Sequence, residues 1–136
     1  MSDCIFCKIV AGEISAIKIY EDEKILAFLD INPVDPGHTL VVPKKHYENF
    51  SETPNEFLSA MMPVIDKISK AAMKATGAEG FNLALNNGKA AGQVVFHTHF
   101  HIMPRFPGDG HELWKGKPYA EGEMEEIADK IKENLR

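Results

Sequence analysis

The residues with the clearest chemical potential are three histidines at alternate positions, separated by largely apolar residues: His97, His99 and His101. Successive side chains of a β-strand point to opposite faces, so this alternation places the imidazoles on one face and the apolar residues on the other. Neighbouring side chains on such a face lie about 7 Å apart. The pattern therefore predicts a core-backed strand on which two imidazoles can contact the same phosphate-sized ligand.

Two other interpretations fit the same alternation. A solvated strand face could carry histidines, although three in strict alternation beside a glycine-containing loop are improbable by chance. A metal site also fits, because H-x-H on a strand is a common ligand pair. A catalytic ion held by all three imidazoles is less favoured, since the outer two lie far apart along a flat strand.

The chain has two cysteines, Cys4 and Cys7, in a C-x-x-C arrangement. A redox motif of this kind lies between a strand and a helix, and no strand precedes these residues, which disfavours redox catalysis. Two interpretations remain. The thiols could be small buried apolar groups, or they could join a separate histidine such as His46 in a zinc site.

Composition limits the classes of protein that the chain can represent. A length of 136 residues fits one domain, residues 1–136, and 44% hydrophobic residues provide for a core. A formal net charge of −5 disfavours a general nucleic-acid-binding surface. Apolar runs are too short to cross a membrane, and residues 1–8 lack the pattern of a signal peptide. We therefore expect a cytoplasmic protein that binds neither nucleic acid nor membrane.

The elements that must position the histidines follow from hydrophobic periodicity and turn residues. Period-two apolar runs predict a sheet of about five strands, at residues 17–20, 24–30, 39–42, 81–85 and 94–104. A long helix is predicted from Thr53 to Gly77, with shorter helices at residues 4–11 and at the C-terminal end. Hairpin-connected strands with one main helix between them indicate an α+β fold with an antiparallel sheet.

Several blocks of the chain, in order, resemble the histidine-triad (HIT) family. Residues 92–102, GQVVFHTHFHI, resemble its H-φ-H-φ-H-φ motif, in which φ is apolar; Thr98 is a mild departure. The other matching blocks are CIFCKI at residues 4–9, AFLDI at 27–31, PGHTLVVPKKH at 36–46 and the Pro104-Arg105 pair. The resemblance is closest to bacterial and archaeal members that carry C-x-x-C.

This resemblance implies a purine nucleotide hydrolase or nucleotidyl transferase that acts at the α-phosphate. His99 would attack phosphorus, and a neutral imidazole is a competent nucleophile and leaving group near pH 7. The resemblance assigns phosphate contacts to His101 and a supporting relay to His97 with His38. It also implies nucleotide-binding roles for polar and apolar residues: Asp30 at the ribose, Asn86 and Gln93 at the phosphate and leaving group, and Ile5, Phe6, Ile9, Phe28 and Ile31 at the base.

The resemblance also implies a structural zinc ion held by Cys4, Cys7, His46 and His97, and a homodimer that extends the sheet. Many relatives carry a hydroxyl side chain after the glutamine, where this chain has Val94. The substrate class implied is nucleoside phosphoramidates, adenylylated amines or dinucleoside polyphosphates, containing AMP or GMP. A nucleotide-binding regulatory module with incidental slow hydrolysis is the main alternative.

Overall fold

The computed structural model describes residues 3–136 of the chain. Met1 and Ser2 lie outside the described residues. They are the first residues of the predicted domain and of the segment in which no signal-peptide pattern is found. Within the described residues, five strands and three α-helices follow one another: α1 Ile5–Val10, β1 Lys18–Glu21, β2 Ile25–Leu29, β3 Thr39–Pro43, α2 Asn55–Thr76, β4 Gly80–Ala84, β5 Phe100–Arg105 and α3 Glu123–Asn134. Short 3-10 turns occupy Phe50–Glu52 and Lys89–Ala91.

The strands form one antiparallel sheet in the order β1-β2-β3-β5-β4. β1 and β2 form the predicted hairpin, while β5 lies in the interior between β3 and β4. In this register Leu40 and Ala84 lie opposite His101, on either side of it. The predicted α+β fold with a five-stranded antiparallel sheet, one long helix and shorter terminal helices is confirmed.

Each face of the sheet has its own apolar core, because alternate residues of the buried strands point to opposite sides. Ile25 and Ala27 of β2 pack with α2 on one face. Leu26 and Phe28 pack with Phe6 of α1 on the other. His101 lies opposite Leu40, which belongs to the α1-side core. The imidazole of His101 therefore lies on the face that carries the N-terminal segment.

The predicted strand at residues 94–104 is wrong at its N-terminal end, since β5 begins at Phe100. The last paired residue of β3 opposite β5 is Val41, which pairs with Phe100. Two residues later β3 ends at Pro43, which has no N–H to donate to a neighbouring strand. His97 and His99 consequently lie in the approach to β5, outside any strand and with His97 at a bend, where Thr98 N–H donates to the Tyr47 carbonyl (2.8 Å).

The C-terminal part of the chain forms an exposed arm, residues 111–136, that ends in α3. The apolar residues of α3 share one face, as the periodicity predicts, but that face is exposed: Met124, Ile127, Ile131 and, just beyond the helix, Leu135. No helix among residues 3–136 is long and apolar enough to span a membrane.

Candidate active site and metal centre

The triad lies where the approach to β5 enters the sheet, beside α1. The rings of His99 and His101 have centroids 4.9 Å apart, closer than two residues along an ideal strand. Phe6 of α1 stands edge-on to both His99, at 5.0 Å, and His97, at 5.9 Å. His97 and His99 are buried, and His101 is half-buried. The N-terminal helix thus forms one wall of the histidine cluster.

His99 has a fixed tautomer. Its Nδ1 lies 2.7 Å from the backbone carbonyl oxygen of His97, and because a carbonyl can only accept, Nδ1 carries the proton. The lone pair of the neutral ring is therefore on Nε2. Burial lowers the pKa of His99 below its usual value, which favours this neutral form at pH 7. The side chain can thus act as a nucleophile through Nε2.

His101 is oriented by His38, which is itself oriented by a backbone group. Val34 N–H donates to His38 Nδ1 (3.0 Å), so His38 carries its own proton on Nε2. That N–H points at His101 Nδ1, 2.9 Å away. Neutral His101 therefore has its proton on Nε2, available to a ligand oxygen.

The predicted relay between His38 and His97 is wrong, because the hydrogen-bond partner of His38 is not His97. His38 contacts His101, whereas the ring of His97 is directed to Pro43 and the cysteines. Burial lowers the pKa of His38, and burial with the neighbouring His99 and His38 lowers the pKa of His101 to about 4. Both rings are consequently neutral near pH 7.

Four side chains from three separate segments converge on one small volume: Cys4, Cys7, His46 and His97. His97 Nδ1 lies 3.4 Å from Cys4 Sγ and 3.6 Å from Cys7 Sγ. His46 Nδ1 lies 3.3 Å from Cys7 Sγ and 3.2 Å from His97 Nδ1. Ligand atoms about 2.0–2.3 Å from a tetrahedral ion lie about 3.3–3.8 Å from one another. The four atoms therefore could bind one metal ion.

The protonation of His97 suits a ligand. Its Nε2 donates to the carbonyl of Pro43 (2.8 Å), so Nδ1 presents its lone pair to the other three side chains. Burial lowers the pKa of His97 to about 4, which keeps the ring neutral. Burial and the adjacent Cys4 raise the pKa of Cys7 to about 11; a divalent cation at this position would favour the thiolate, which is the ligand form.

The predicted polar nucleotide contacts fall into two groups. Asp30 follows β2 and places Oδ2 3.6 Å from His38 Nε2, beside the triad. Gln93 instead uses its side chain to bind backbone groups: Oε1 accepts from Gly88 N–H of its own loop, and Nε2 donates to the carbonyls of Val95 and of Glu48, which lies in the segment after β3. Asn86 lies at the other end of that loop, with Nδ2 3.4 Å from the Gly92 carbonyl. The structure thus brings Asp30 to the histidines and uses Gln93 to fix the loop before them.

The five residues predicted at the base divide by exposure. Phe6, Ile9 and Phe28 are buried in the α1-side core, with the Phe6 and Phe28 rings 5.5 Å apart. Ile5 is 45% exposed and Ile31 is 90% exposed. Ile5 lies at the start of α1, and Ile31 lies just beyond the end of β2.

Sequence reasoning missed the groups that fix the tautomers: the Val34 N–H and the carbonyls of Pro43 and His97. Backbone groups occur at every residue, so no residue type marks them. It also missed the pair of buried hydroxyls of Thr53 and Thr98, 2.7 Å apart, which joins the approach of β5 to the residues before α2. Thr98 is the one polar residue among the apolar positions of the triad, and that departure was the available signal.

Comparison with known proteins identifies relatives that match most of the chain. An uncharacterised HIT-like protein of Methanocaldococcus jannaschii is 50% identical over 129 residues, 95% of this chain and 98% of its own. Adenosine 5′-monophosphoramidase hnt1 of Schizosaccharomyces pombe is 42% identical, over 95% of this chain and 98% of its own. Adenylylsulfatase HINT3 of Arabidopsis thaliana is 53% identical over 76% of this chain, which matches 53% of that protein.

Solved structures share the fold. A Streptococcus mutans protein superposes with a TM-score of 0.93 at 42% identity, over 100% of this chain and 87% of its own. A zinc-bound histidine-triad family protein of Mycobacterium smegmatis superposes with a TM-score of 0.78 at 41% identity, over 99% of each chain. The family model of the HIT domain matches residues 11–108. With its histidine triad at the entry to β5, the chain belongs to the histidine-triad family.

Proposed function

We propose that the chain is a purine nucleotide hydrolase that cleaves at the α-phosphate through a nucleotidyl-His99 intermediate. The observation that carries the proposal is the bond from His99 Nδ1–H to the His97 carbonyl, which leaves a lone pair on Nε2. Nucleoside phosphoramidates, adenylylated amines and dinucleoside polyphosphates are the substrate class. The names of the Schizosaccharomyces and Arabidopsis relatives describe hydrolysis of adenosine phosphoramidate and adenylyl sulfate, which support this class.

In the first step His99 Nε2 attacks the α-phosphorus and the bond to the leaving group breaks. The electron pair of that bond leaves with the amine or phosphate, which takes a proton from water when it is an amine. His101 donates its Nε2–H to a phosphate oxygen, and His38 holds His101 in that tautomer. In the second step water attacks phosphorus and the phosphorus–nitrogen bond breaks. The electron pair of that bond returns to Nε2, which restores neutral His99, and the proton that the water loses passes to solvent.

The nucleotide lies along the α1 side of the sheet. Asp30 accepts hydrogen bonds from the ribose hydroxyls, and an AMP or GMP base packs among Ile5, Phe6, Ile9, Phe28 and Ile31. The leaving group extends toward an open cavity of about 760 Å³ that is lined in part by Ala84, Asn86 and Met103. Ala84 lies opposite His101 in the sheet, so this cavity adjoins the triad. Gln93 orients the loop between Asn86 and the triad.

We assign a structural zinc ion to Cys4, Cys7, His46 and His97. The fit rests on tetrahedral spacing, a lone pair on His97 Nδ1 and two thiols. Four protein ligands close the coordination sphere, which is typical of structural rather than catalytic zinc. The ion would attach α1 to the residues before the triad, and the cytoplasm is the compartment that keeps such thiols reduced.

A homodimer, with residues 1–136 as one domain in each copy, fits the exposed arm. An isolated helix of 12 residues is marginal in water, so α3 needs a partner for its apolar face. β4 is a sheet edge with exposed Phe81 and Leu83. A second copy pairing there would extend the sheet and cover apolar surface from both regions. We assign no nucleic-acid or membrane partner.

A catalytic metal held by all three triad histidines is not favoured. The ring of His97 is committed to Pro43 and to the cysteine cluster. Asp30, His38 and His101 also lie close enough to hold an ion, but both ring nitrogens of His38 are already in hydrogen bonds.

The experiment is steady-state turnover of adenosine and guanosine phosphoramidates, with binding of AMP and GMP measured in parallel. We expect turnover that survives exhaustive removal of free metal from the assay. Tight nucleotide binding without turnover would favour the regulatory module instead. Turnover that needs added metal ion would favour the metal hydrolase.

A further inference from the structure

The loop between β2 and β3 controls the tautomers of two histidines. Val34 lies in this loop, which has no helix or strand of its own, and its N–H donates to His38 Nδ1. If Val34 moved away, His38 could place its proton on Nδ1 and would then have no N–H for His101. The direction of the His38–His101 hydrogen bond therefore depends on where the loop holds Val34.

His111, which is distant in the sequence, forms a hydrogen bond with the same residue, Val34. Its ring Nε2 donates to the Val34 carbonyl oxygen over 2.8 Å, although the two residues are 77 positions apart. The proposed reaction assigns no chemical step to His111, which lies at the start of the exposed arm and lines the cavity beside the triad. The ring also faces Asp35 of the loop, with Nε2 4.0 Å from Oδ1.

Arg105 of β5 holds the backbone of His111 in place. The guanidinium donates to both carboxylate oxygens of Asp109, at 2.8 and 3.0 Å, and to the His111 carbonyl at 2.8 Å. Asp109 Oδ1 in turn accepts the His111 N–H at 3.1 Å. Arg105 is the last residue of β5 and is also bonded to Asn82 Oδ1 on β4 (2.8 Å). Such bidentate pairs fix orientation as well as distance.

We propose that His111 is a positioning residue for the triad: by holding the Val34 carbonyl it keeps the Val34 N–H on His38 and so fixes the tautomers of His38 and His101. These hydrogen bonds form a continuous series from Arg105 through His111, Val34 and His38 to His101. The series begins and ends on one strand, because Arg105 and His101 both belong to β5. Its consequence for turnover rests on the proposed function, whereas its consequence for the tautomers does not.

The test compares His111→Ala with His111→Gln, whose side-chain amide can still donate to the Val34 carbonyl, and with Lys115→Ala as an exposed control on the same arm. Long-range proton–nitrogen NMR spectra of the imidazole rings report which nitrogen of His38 and His101 carries the proton. We expect the Nε2–H tautomer of both rings in the unchanged protein, and a mixture in His111→Ala. We expect kcat with an adenosine phosphoramidate to fall about 10-fold in His111→Ala, with KM changed less than about twofold. His111→Gln restores both readouts.

The NMR result separates this inference from the proposed function. If the tautomers mix in His111→Ala but the unchanged protein hydrolyses no nucleotide, the positioning role stands and the proposed reaction fails. If His38 carries its proton on Nδ1 in the unchanged protein, or if the tautomers are the same in His111→Ala, the positioning role is overturned whatever the turnover. A loss of kcat that His111→Gln does not restore, accompanied by a lower melting temperature, would also overturn it.

Discussion

His97 presents its ring to two thiols while its backbone carbonyl accepts the Nδ1–H of His99 over 2.7 Å. His97 therefore takes part in the candidate metal centre and also orients His99, the candidate nucleophile. A shift of His97 by a few tenths of an ångström would lengthen the bond that fixes the His99 tautomer. The metal centre and the nucleophile are thus mechanically connected, although an ion there would have no open coordination position.

We expect His99→Ala to lower kcat at least about 1,000-fold, because removal of a nucleophile eliminates the covalent path. AMP binding should change little, since the base and ribose contacts remain. Because the His99 ring is buried, its removal could also destabilise the fold and so lower activity indirectly. His99→Asn, whose side chain fills more of the space than alanine, is therefore the second variant. Lys115→Ala is the control. Near-normal kcat in either His99 variant, measured on folded protein, rules out the nucleophile assignment.

Removal of zinc should destabilise the protein. We expect one zinc per chain by elemental analysis of reduced protein purified without added metal. Chelation or Cys7→Ser should lower the melting temperature by about 10 °C, because an ion that binds only the folded state adds its binding free energy to stability. Glu13→Ala, an exposed change beside α1, is the control. A metal content near zero in reduced, folded protein would remove the site from the proposal.

Much of this architecture follows from the sequence, because it depends on side-chain type. Period-two runs located the strands, but of the three alternating histidines only His101 lies within a strand, since β5 begins at Phe100. The start of β5 was misplaced because the pairing of residues 94–99 depends on a distant strand that ends at Pro43, which local periodicity does not reveal. The partner of His38 was misplaced for a related reason: the Val34 N–H that orients it is a backbone group. Gln93 matched a ligand position by type, but its buried loop contacts depend on where Glu48 lies.

Stability should fall with acid in a window set partly by His101. In the folded protein burial lowers the pKa of His101 to about 4, while the unfolded chain has the usual value near 6.5. Between these values the unfolded state binds more protons, so this contribution is fully present above about pH 6.5 and is lost as pH falls toward 4. Urea unfolding from pH 7.5 to 4.5 measures it.

The contribution of His101 is isolated by comparison with His101→Gln, which cannot titrate in this range. We expect the free energy of unfolding of the unchanged protein to fall more steeply below pH 6.5 than that of the variant. Equal slopes for the two proteins would mean that His101 is not held neutral by burial.

The apolar face of α3 should be covered by a second copy. Light scattering of the purified chain is expected to give the mass of a dimer, and Ile131→Asp, which places a charge on the apolar face, should shift the population toward monomer. Asp129→Ala, on the opposite face of the same helix, should leave the mass unchanged. A monomer at micromolar concentrations in the unchanged protein, or a dimer unaffected by Ile131→Asp, would exclude this use of α3.

A nucleotidyl group should be trapped on His99. The ring lies next to His101 with Nε2 unprotonated, so attack on phosphorus needs no separate base to remove a proton from the nucleophile. Rapid mixing with adenosine phosphoramidate, followed by an alkaline quench because the phosphorus–nitrogen bond is acid-labile, should give an adenylyl increment on the peptide that contains residues 97–101. Two successive displacements also retain the configuration of a chirally labelled α-phosphate, whereas one displacement by water inverts it. Inversion, together with no adduct at any quench time, would make His99 a general base or a phosphate ligand, and the covalent mechanism would be wrong while the family assignment stood.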